Sequence, residues 1–226
     1  MLQYNFPNSE IKPFSLTEIV TFMTLCRYPA VPDNVIRRLE ELGAEVRTVS
    51  PSQSAAVAPM LWRFRVATDP QVSVFIVRDA DSRLTPRDAA VVTDWLKHRE
   101  ASFHCIRDHP SHSNFAVSGG LWGGRPPQLA ALGGKVRRVF EEVMGKYGAG
   151  YLQDMQFLCN VVWPEVQSHA YCHDSFSCDR YPSSHPFPVT RIGSEHLGEV
   201  YDEFSVGRAV DINILVKATV NSKCVP

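Results

Sequence analysis

A hydrophobic run that ends in two aspartates constrains this chain more than any other feature. Residues 74–77 read VFIV, and residues 78–83 follow at once as RDADSR. A short apolar run bounded by polar residues is typical of a buried strand that ends in a turn. In open α/β sheets, ligands bind just past the carboxyl ends of strands. The sequence therefore predicts a buried strand here and a polar site at Asp79 and Asp81.

Composition places the chain among ordinary globular proteins. It has 226 residues, of which 44% are hydrophobic and 21% charged, enough for one α/β domain with a substantial core. The net charge of -1 gives no basic field, so nucleic acid is not an expected partner. We expect no transmembrane segment, because no apolar stretch reaches the ~20 residues that a span needs. The polar start lacks the pattern of a signal peptide. The cytoplasm is the default compartment, and the Golgi is the alternative if a leader precedes this sequence.

The pattern of apolar residues predicts strands that alternate with helices, which is typical of an α/β fold. A helix over 32–42, stopped by Gly43 and followed by a strand over 44–49, forms the first such unit. Residues 111–128 are predicted to be a loop. The remaining predictions are helices over 15–25, 58–66, 85–98, 130–147 and 151–162, and strands over 101–106, 168–171 and 211–216.

The aspartate pair suits a hard divalent cation. In an extended segment, residues i and i+2 point the same way, so both carboxylates can bind one Mg²⁺ or Mn²⁺ ion. Such an ion usually keeps several waters and completes its shell with the phosphates of a substrate. The flanking Arg78 and Arg83 either neutralise the carboxylates or meet phosphate oxygens. The alternative is a solvated turn with acidic residues.

Two further segments have the residue types of a sugar site. The predicted strand over 101–106 runs into Arg107-Asp108-His109-Pro110, and a GGLWGG stretch follows at 119–124. Glycines let the backbone approach a polar ligand, and the indole of Trp122 offers an apolar face to a pyranose. The alternative is a surface loop whose tryptophan covers the core.

Other polar residues are compatible with more than one role. Asp154 either complements the dipole at a helix start or lies in an acceptor pocket. A late histidine, His173 or else His196, suits the metal shell begun by the aspartates. Zinc is the competing idea for Cys172, Cys178, His173 and His185, although their spacing matches no paired zinc motif. A Cys172–Cys178 disulfide is also possible, and the six cysteines leave the redox compartment open.

Taken together, these segments resemble the nucleotide-sugar-dependent glycosyltransferases of the GT-A type. The resemblance is to an uncharacterised branch and covers roughly residues 30 to 204. Its marks are M-x-W-R-F, R-D-x-D-S-R, R-D-H-P, G-G-x-W-G-G, D-x-x-F-L and H-D-S-F, found here at 60–64, 78–83, 107–110, 119–124, 154–158 and 173–176. The set is more specific than any of its members.

The resemblance implies a Rossmann-like GT-A fold with a mixed, mainly parallel sheet. It implies a metal-dependent transferase that moves a sugar from a nucleoside diphosphate sugar to an unknown glycan, lipid or protein acceptor. Mn²⁺ or Mg²⁺ is the expected cofactor. The implied roles are metal binding by Asp79, Asp81 and His173, donor binding by Arg78, Arg83, Gly119, Gly120 and Trp122, and sugar contact or base catalysis by Asp108 or Asp154.

The chain departs from the GT-A pattern at its front. These enzymes normally begin with a nucleoside-binding strand before the helix equivalent to 32–42. We therefore expect an N-terminally incomplete sheet with an unmatched helical segment at 1–28. A GT-A-like catalytic domain at 29–204 and an extension at 205–226 complete this division of the chain.

Three other functions compete with glycosyl transfer. A degenerate, non-catalytic GT-A-like module would bind a sugar or a partner without turnover. A phosphatase of the haloacid-dehalogenase type would use Asp79 as its nucleophile, with Lys135 and Asp154 in supporting roles. A metal-independent interaction domain would use neither aspartate.

Overall fold

Seven strands form one mixed sheet in the computed structural model. The model describes residues 2–5, 22–27, 31–49, 57–132, 138–143, 146–148, 150–202 and 204–224. The strands are β1 (Leu2–Asn5), β2 (Phe22–Arg27), β3 (Ala44–Val49), β4 (Phe75–Arg78), β5 (Phe103–Arg107), β6 (Trp122–Gly124) and β7 (Ala170–Asp174). They lie in the order β3-β2-β1-β4-β6-β5-β7. The expectation of an α/β fold is confirmed at this level.

Helices of several kinds cover the sheet. The α-helices are α1 (Asp33–Glu41), α2 (Pro86–Lys97), α3 (Pro126–Ala131), α4 (Gln153–Phe157), α5 (Trp163–Val166) and α6 (Ala209–Lys217). Short 3-10 helices span Pro59–Thr68, Pro110–Asn114, Gln167–His169 and Ser222–Cys224, and π-helical turns span Val139–Val143 and Leu158–Val162. Among the described residues, no helix has the length and apolar character to cross a membrane.

Five of the seven strands run in one direction. β2 is parallel to β3 and β5 is parallel to β7, while β1 and β6 are antiparallel to both of their neighbours. β4 therefore points the same way as β2, β3, β5 and β7. Because β4 and β5 share a direction, the residues that follow them meet at one edge of the sheet.

Strand β6 contradicts the predicted loop over 111–128. It lies between β4 and β5, with Trp122 opposite Val77 and Cys105. A Cβ on Gly123 would come within 2.6 Å of the Phe75 carbonyl oxygen, so the glycine allows the close approach of the strands. The pattern hid this strand because glycine carries no β-propensity signal.

The N-terminal expectation needs correction. Residues 22–25, predicted to be helical, lie in β2, and the rest of that predicted helix falls outside the described residues. The sheet does not lack an inner strand, since β1 occupies the place between β2 and β4. β1 is antiparallel to β4, with Leu2 opposite Arg78.

Hydrophobic side chains fill both faces of the sheet. Phe75 and Val77 of β4 join one cluster, which includes Phe64, Trp122 and side chains of the 139–166 region. Ile76 points to the other cluster, which includes Val91, Val92 and Trp95 of α2. This alternation is the period of a strand buried on both faces, so the strand predicted over 74–77 lies at the centre of a three-layer arrangement.

Local signals define several elements as the sequence predicts. Helix α1 is followed by Gly43 at φ +87° and then by β3. The Thr85 side chain accepts a hydrogen bond of 3.3 Å from the Asp88 backbone N–H and caps α2. Two predicted elements are wrong. Residues 211–216 belong to helix α6 rather than a strand, and the helix near Asp154 continues past Trp163 to Val166.

Two disulfides tie the described chain together. Cys105 and Cys172 face each other in register on β5 and β7, and Cys178 is joined to Cys224. Cys159 is a free thiol. The expected alternatives for Cys172 and Cys178, a bond to each other or zinc ligation, are therefore wrong, because both sulfurs are already bonded elsewhere.

Removing the Cys178–Cys224 disulfide should destabilise the fold. The bond closes a loop of 46 residues, and losing such a crosslink typically costs about 2–4 kcal/mol through the entropy of the unfolded chain. We expect this loss in Cys178→Ser/Cys224→Ser, measured by urea unfolding, and less than about 1 kcal/mol in the control Cys159→Ser. Equal stability of the double variant and wild type would refute the crosslink.

A buried histidine makes stability depend on pH. His104 lies fully buried in β5, stacked on Trp95, with Nδ1 2.9 Å from the Tyr171 carbonyl oxygen. Burial, then the charges of His173 and Arg78, hold the pKa of His104 well below its usual range. The unfolded chain therefore takes up a proton that the folded chain refuses, so stability falls as the pH drops below about 6.5.

We expect the free energy of unfolding to decrease from pH 7 to pH 5 and His104→Gln to flatten this decrease. Between pH 7 and pH 5, the free energy of unfolding of the wild type should fall by about 2 kcal/mol more than that of His104→Gln. Denaturant titrations at both pH values measure it, with the exposed His169→Gln as control. Parallel pH slopes for wild type and His104→Gln would show that His104 does not titrate on unfolding.

Candidate functional site

A polar cavity of about 300 Å³ opens where β4 and β5 end. Its walls come from segments that are far apart in sequence. They include Met60, Arg63, Asp79, His109, His112, Ser118, Gly119, Gly120, Tyr151, Asp154, His196, Arg208 and Asp211. Four of the residues predicted to form a site, Asp79, Gly119, Gly120 and Asp154, therefore share one cavity.

Asp79 follows β4 directly and reaches the cavity with a half-exposed carboxylate. Its Oδ1 accepts a hydrogen bond of 2.7 Å from Arg63 Nη1, and its Oδ2 lies against the backbone of Gly120. The side chain is 49% exposed, so one carboxylate oxygen is bound to arginine while the other stays accessible.

Asp81 differs from the expectation of an extended segment. The chain turns after Asp79, because the Ser82 N–H and hydroxyl both donate to the Asp79 carbonyl oxygen, at 3.2 and 2.8 Å. The Asp81 side chain is exposed. Its charge raises the pKa of Arg208, although the hydrogen bond from Arg208 to Asp211 contributes most. Asp81 is not among the residues that line the cavity, and its charge acts there only through Arg208.

Asp154 lies in the first turn of α4 and is 4% exposed. Its Oδ2 is 3.9 Å from Arg63 Nη2, and its Oδ1 has no hydrogen-bond partner. Burial raises the pKa of Asp154, while the Arg63 charge opposes this effect. Leu152, two residues before Asp154, has φ +66°, a left-handed conformation that is uncommon for residues other than glycine. Asp154 therefore lies at a helix start and also lines the cavity, and its role in an acceptor pocket stays a prediction.

The two glycines let these carboxylates lie against the backbone. A Cβ on Gly120 would overlap the Asp79 carboxylate, and a Cβ on Gly119 would overlap Asp154 Oδ2. The missing side chains at 119 and 120 therefore make room for two carboxylates of the protein itself. The predicted close approach of this backbone to a polar ligand stays a prediction.

Three histidines form the opposite part of the cavity. The ring centroids of His109 and His196 are 4.6 Å apart, and His112 lies 5.4 Å from His109. Burial, followed by the charges of His109 and His196, lowers the pKa of His112 to about 3. Burial also lowers the pKa of His196. His112 and His196 therefore present neutral imidazoles to the cavity at pH 7.

Several other predicted residues serve the fold instead. Asp108 is fully buried and accepts hydrogen bonds from Arg87, Arg191, Ser175 and the Leu197 N–H. Its carboxylate is occupied, so it does not reach a substrate. Arg78 is equally buried, and its guanidinium binds Asp88 at 2.8 and 3.0 Å. The expectation of a catalytic Asp108 and a phosphate-binding Arg78 is corrected accordingly.

Trp122 and His173 are also placed away from the cavity. Trp122 is 0% exposed and packs against Phe75, Phe103 and Phe64, so its indole offers no face to a sugar. His173 lies on β7, three strands from β4, or about 14 Å at the usual strand spacing. Its Nε2 is 3.3 Å from Asp94. The structure does not bring His173 to the aspartates as a third metal ligand. Arg83, which was expected to bind the donor, lies over the Tyr201 ring, with its Cζ 4.4 Å from the ring centroid.

The sequence signals missed part of the cavity. Arg63 belongs to the M-x-W-R-F motif, for which the sequence predicts no role, and His109 belongs to the segment predicted to suit a sugar site. His196, the second candidate histidine, does line the cavity. Arg208 and Asp211, joined by a hydrogen bond of 2.6 Å, gave no signal because they lie in the predicted C-terminal extension.

The cavity wall offers a carboxylate that suits a hard cation bound together with a ligand. Asp79 supplies this carboxylate, and Mg²⁺ is commonly held by one or two carboxylates plus substrate phosphates. A closed site built from protein alone does not fit. In the described part of the chain, the three ligand atoms found within 4.8 Å of one another belong to Asp174, Cys178 and Cys224. The two cysteines of that group form a disulfide.

Comparison of the chain with protein-family models, curated proteins and solved structures finds no match.

The two glycines should differ in their tolerance of a methyl group. Gly119→Ala pushes against the buried Asp154 and should cost about 1–3 kcal/mol of stability. Gly120→Ala should cost less, because the half-exposed Asp79 has room to rotate. Urea unfolding measures both values. The control Gly148→Ala has nothing within 4 Å of its added Cβ and should be neutral. A neutral Gly119→Ala would mean that Asp154 does not pack against this glycine.

Proposed function

We propose that this protein is a glycosyltransferase and that the cavity binds its nucleoside diphosphate sugar. One observation carries the proposal. Four stretches noted separately in the sequence each deliver a side chain or a glycine to the same 300 Å³ cavity. They contribute Arg63, Asp79, the Gly119–Gly120 pair and Asp154. Chance surface turns from four parts of a chain have no reason to meet in this way.

The GT-A-like character of the fold belongs to this proposal. The layered α/β arrangement has five strands in one direction, and Asp79 follows the central β4. Ligands of open α/β sheets bind at this kind of edge. The topology supports a Rossmann-like sheet of the GT-A type, although β1 runs opposite to β4.

Asp79 and Asp81 would hold Mn²⁺ or Mg²⁺ together with the diphosphate. When bound, this cation supplies positive charge that offsets the charge on the departing nucleoside diphosphate. Arg63 and Arg208 also line the cavity wall, each in an ion pair with an aspartate, Asp79 and Asp211 respectively. Gly119 and Gly120 leave room for the Asp154 and Asp79 carboxylates in the cavity wall.

The transfer breaks the bond between the sugar's anomeric carbon and the diphosphate oxygen, which leaves with the electron pair. A bond forms from an acceptor oxygen to the same carbon. The acceptor proton needs a base, and Asp154 is the carboxylate with a raised pKa in the cavity. Its unpartnered Oδ1 is available either to take this proton or to bind a sugar hydroxyl.

A non-catalytic sugar-binding protein is the second candidate. The observation in its favour is the ion pair of 2.7 Å between Arg63 and Asp79, which already neutralises the carboxylate without a cation. The phosphatase alternative has less support, because Arg63 already binds the carboxylate of Asp79, its expected nucleophile. Lys135 lies outside the described residues.

Calorimetric titration separates these functions. We expect UDP or GDP to bind wild-type protein in the presence of Mn²⁺ and Asp79→Asn to weaken this binding by at least about tenfold, or 1.4 kcal/mol. The control Asp33→Asn changes an exposed aspartate on α1 and should bind as wild type.

Two outcomes would overturn the transferase proposal. Failure of both nucleotides to bind at millimolar concentration would remove the donor site. Binding that is the same without Mn²⁺ and in Asp79→Asn, with no release of nucleotide from sugar donors, would favour the non-catalytic protein.

A further inference from the structure

The cavity wall contains buried polar atoms that nothing in the described protein satisfies. Ser118 Oγ, Asp154 Oδ1 and His112 Nδ1 have no hydrogen-bond partner, and all three residues line the cavity. Leaving a buried polar atom unsatisfied typically costs about 1–3 kcal/mol. Such atoms in one cavity indicate a ligand that supplies the missing hydrogen bonds.

Ser118 and Asp154 both line the cavity beside Gly119, and we call this part of the wall the Ser118–Asp154 corner. Ser118 is 7% exposed and Asp154 is 4% exposed, so both side chains are more than nine-tenths buried. Ser118 precedes Gly119 in the chain, and Asp154 Oδ2 lies against that glycine. A hydroxyl that donates and accepts thus lies near a carboxylate that only accepts when it is ionised. A hydroxyl group of a ligand complements both.

The three carboxylates in the cavity differ in how closely an arginine approaches them. Arg63 donates its short hydrogen bond to Asp79, and Arg208 donates to Asp211. Asp154 lies farther from its arginine, with Oδ2 3.9 Å from Arg63 Nη2, and backbone N–H groups of Asp154 and Met155 also donate to its carboxylate. The corner therefore has a carboxylate that is less well compensated than the other two in the cavity. A second carboxylate brought here by a ligand would be repelled.

We propose that the Ser118–Asp154 corner is a subsite for an uncharged sugar and excludes sugars that carry a carboxylate. One hydroxyl of the sugar donates to Asp154 Oδ1 and another accepts from the Ser118 hydroxyl. The assignment to the donor sugar rests on the proposed function. The preference for a neutral polyol rests only on the side chains at this corner.

A matched pair of ligands tests the proposal. UDP-glucose and UDP-glucuronate differ only in a CH₂OH group and a carboxylate at one position. By calorimetry with Mn²⁺, we expect the neutral ligand to bind at least about tenfold more tightly, or 1.4 kcal/mol. Asp154→Asn, which removes the charge with little change in shape, should reduce this ratio to less than threefold.

Ser118→Ala tests the hydroxyl contact, and Ser102→Ala is its control. Ser102 Oγ is also buried without a partner, but Ser102 does not line the cavity. We expect Ser118→Ala to lose at least threefold in affinity for UDP-glucose and nothing for UDP alone. Ser102→Ala should change neither affinity. Circular dichroism checks that each variant is folded.

The outcomes separate this inference from the proposed function. If UDP binds but the two sugar nucleotides bind equally, or the ratio survives in Asp154→Asn, the subsite is overturned and the donor site stands. If UDP does not bind, methyl glucoside and glucuronate titrated by NMR decide the matter. Selective binding of the glucoside through Ser118 supports the subsite without the transferase, and no binding of either sugar overturns both.

Discussion

The buried carboxylate of Asp108 is the interaction on which the arrangement of this site depends. Arg87 from α2 and Arg191 from the segment before the cavity histidine both bind it, as do the Ser175 hydroxyl and the Leu197 N–H. Four parts of the chain are thereby held at the end of β5. An unpaired charge at this depth costs about 3–5 kcal/mol, so these partners are strongly constrained. The network positions His109 and His196 in the cavity without taking part in it.

Buried ion pairs also account for other charged residues at the ends of the strands. Arg78 binds Asp88 and Arg107 binds Asp174, and both pairs are almost fully buried at strand ends. They lie at the edge where the cavity opens, so structural and functional polar groups are close together. Buried polar atoms without a hydrogen-bond partner occur elsewhere in the described protein, as at Ser102 and Arg107, as well as in the cavity wall. The candidate site is distinguished because three such atoms, in His112, Ser118 and Asp154, belong to residues that share one cavity.

Local sequence signals predicted the regular elements well and the irregular ones badly. Helix α1, β3, β4 and α2 follow from apolar periodicity, a glycine stop and a threonine cap. Strand β6 was missed because two of its three residues are glycines. They allow close approach to neighbouring residues, but glycine has a low propensity for strands. Helix α6 was mistaken for a strand because its β-branched residues favour extended structure when the tertiary context is unknown.

By itself, the sequence determined the α/β class, the central strand, and a polar edge with Asp79, two glycines and Asp154 near it. Only the tertiary structure decided which polar residues are free to act. Asp108, Arg78 and His173 have the same chemistry as catalytic or binding residues, yet each is bonded to a side chain that lies between 10 and 83 residues away in the chain. A carboxylate or a guanidinium carries no local signal of its partner. Its role depends on long-range packing, which decides whether its hydrogen bonds are met by the protein or left for a ligand.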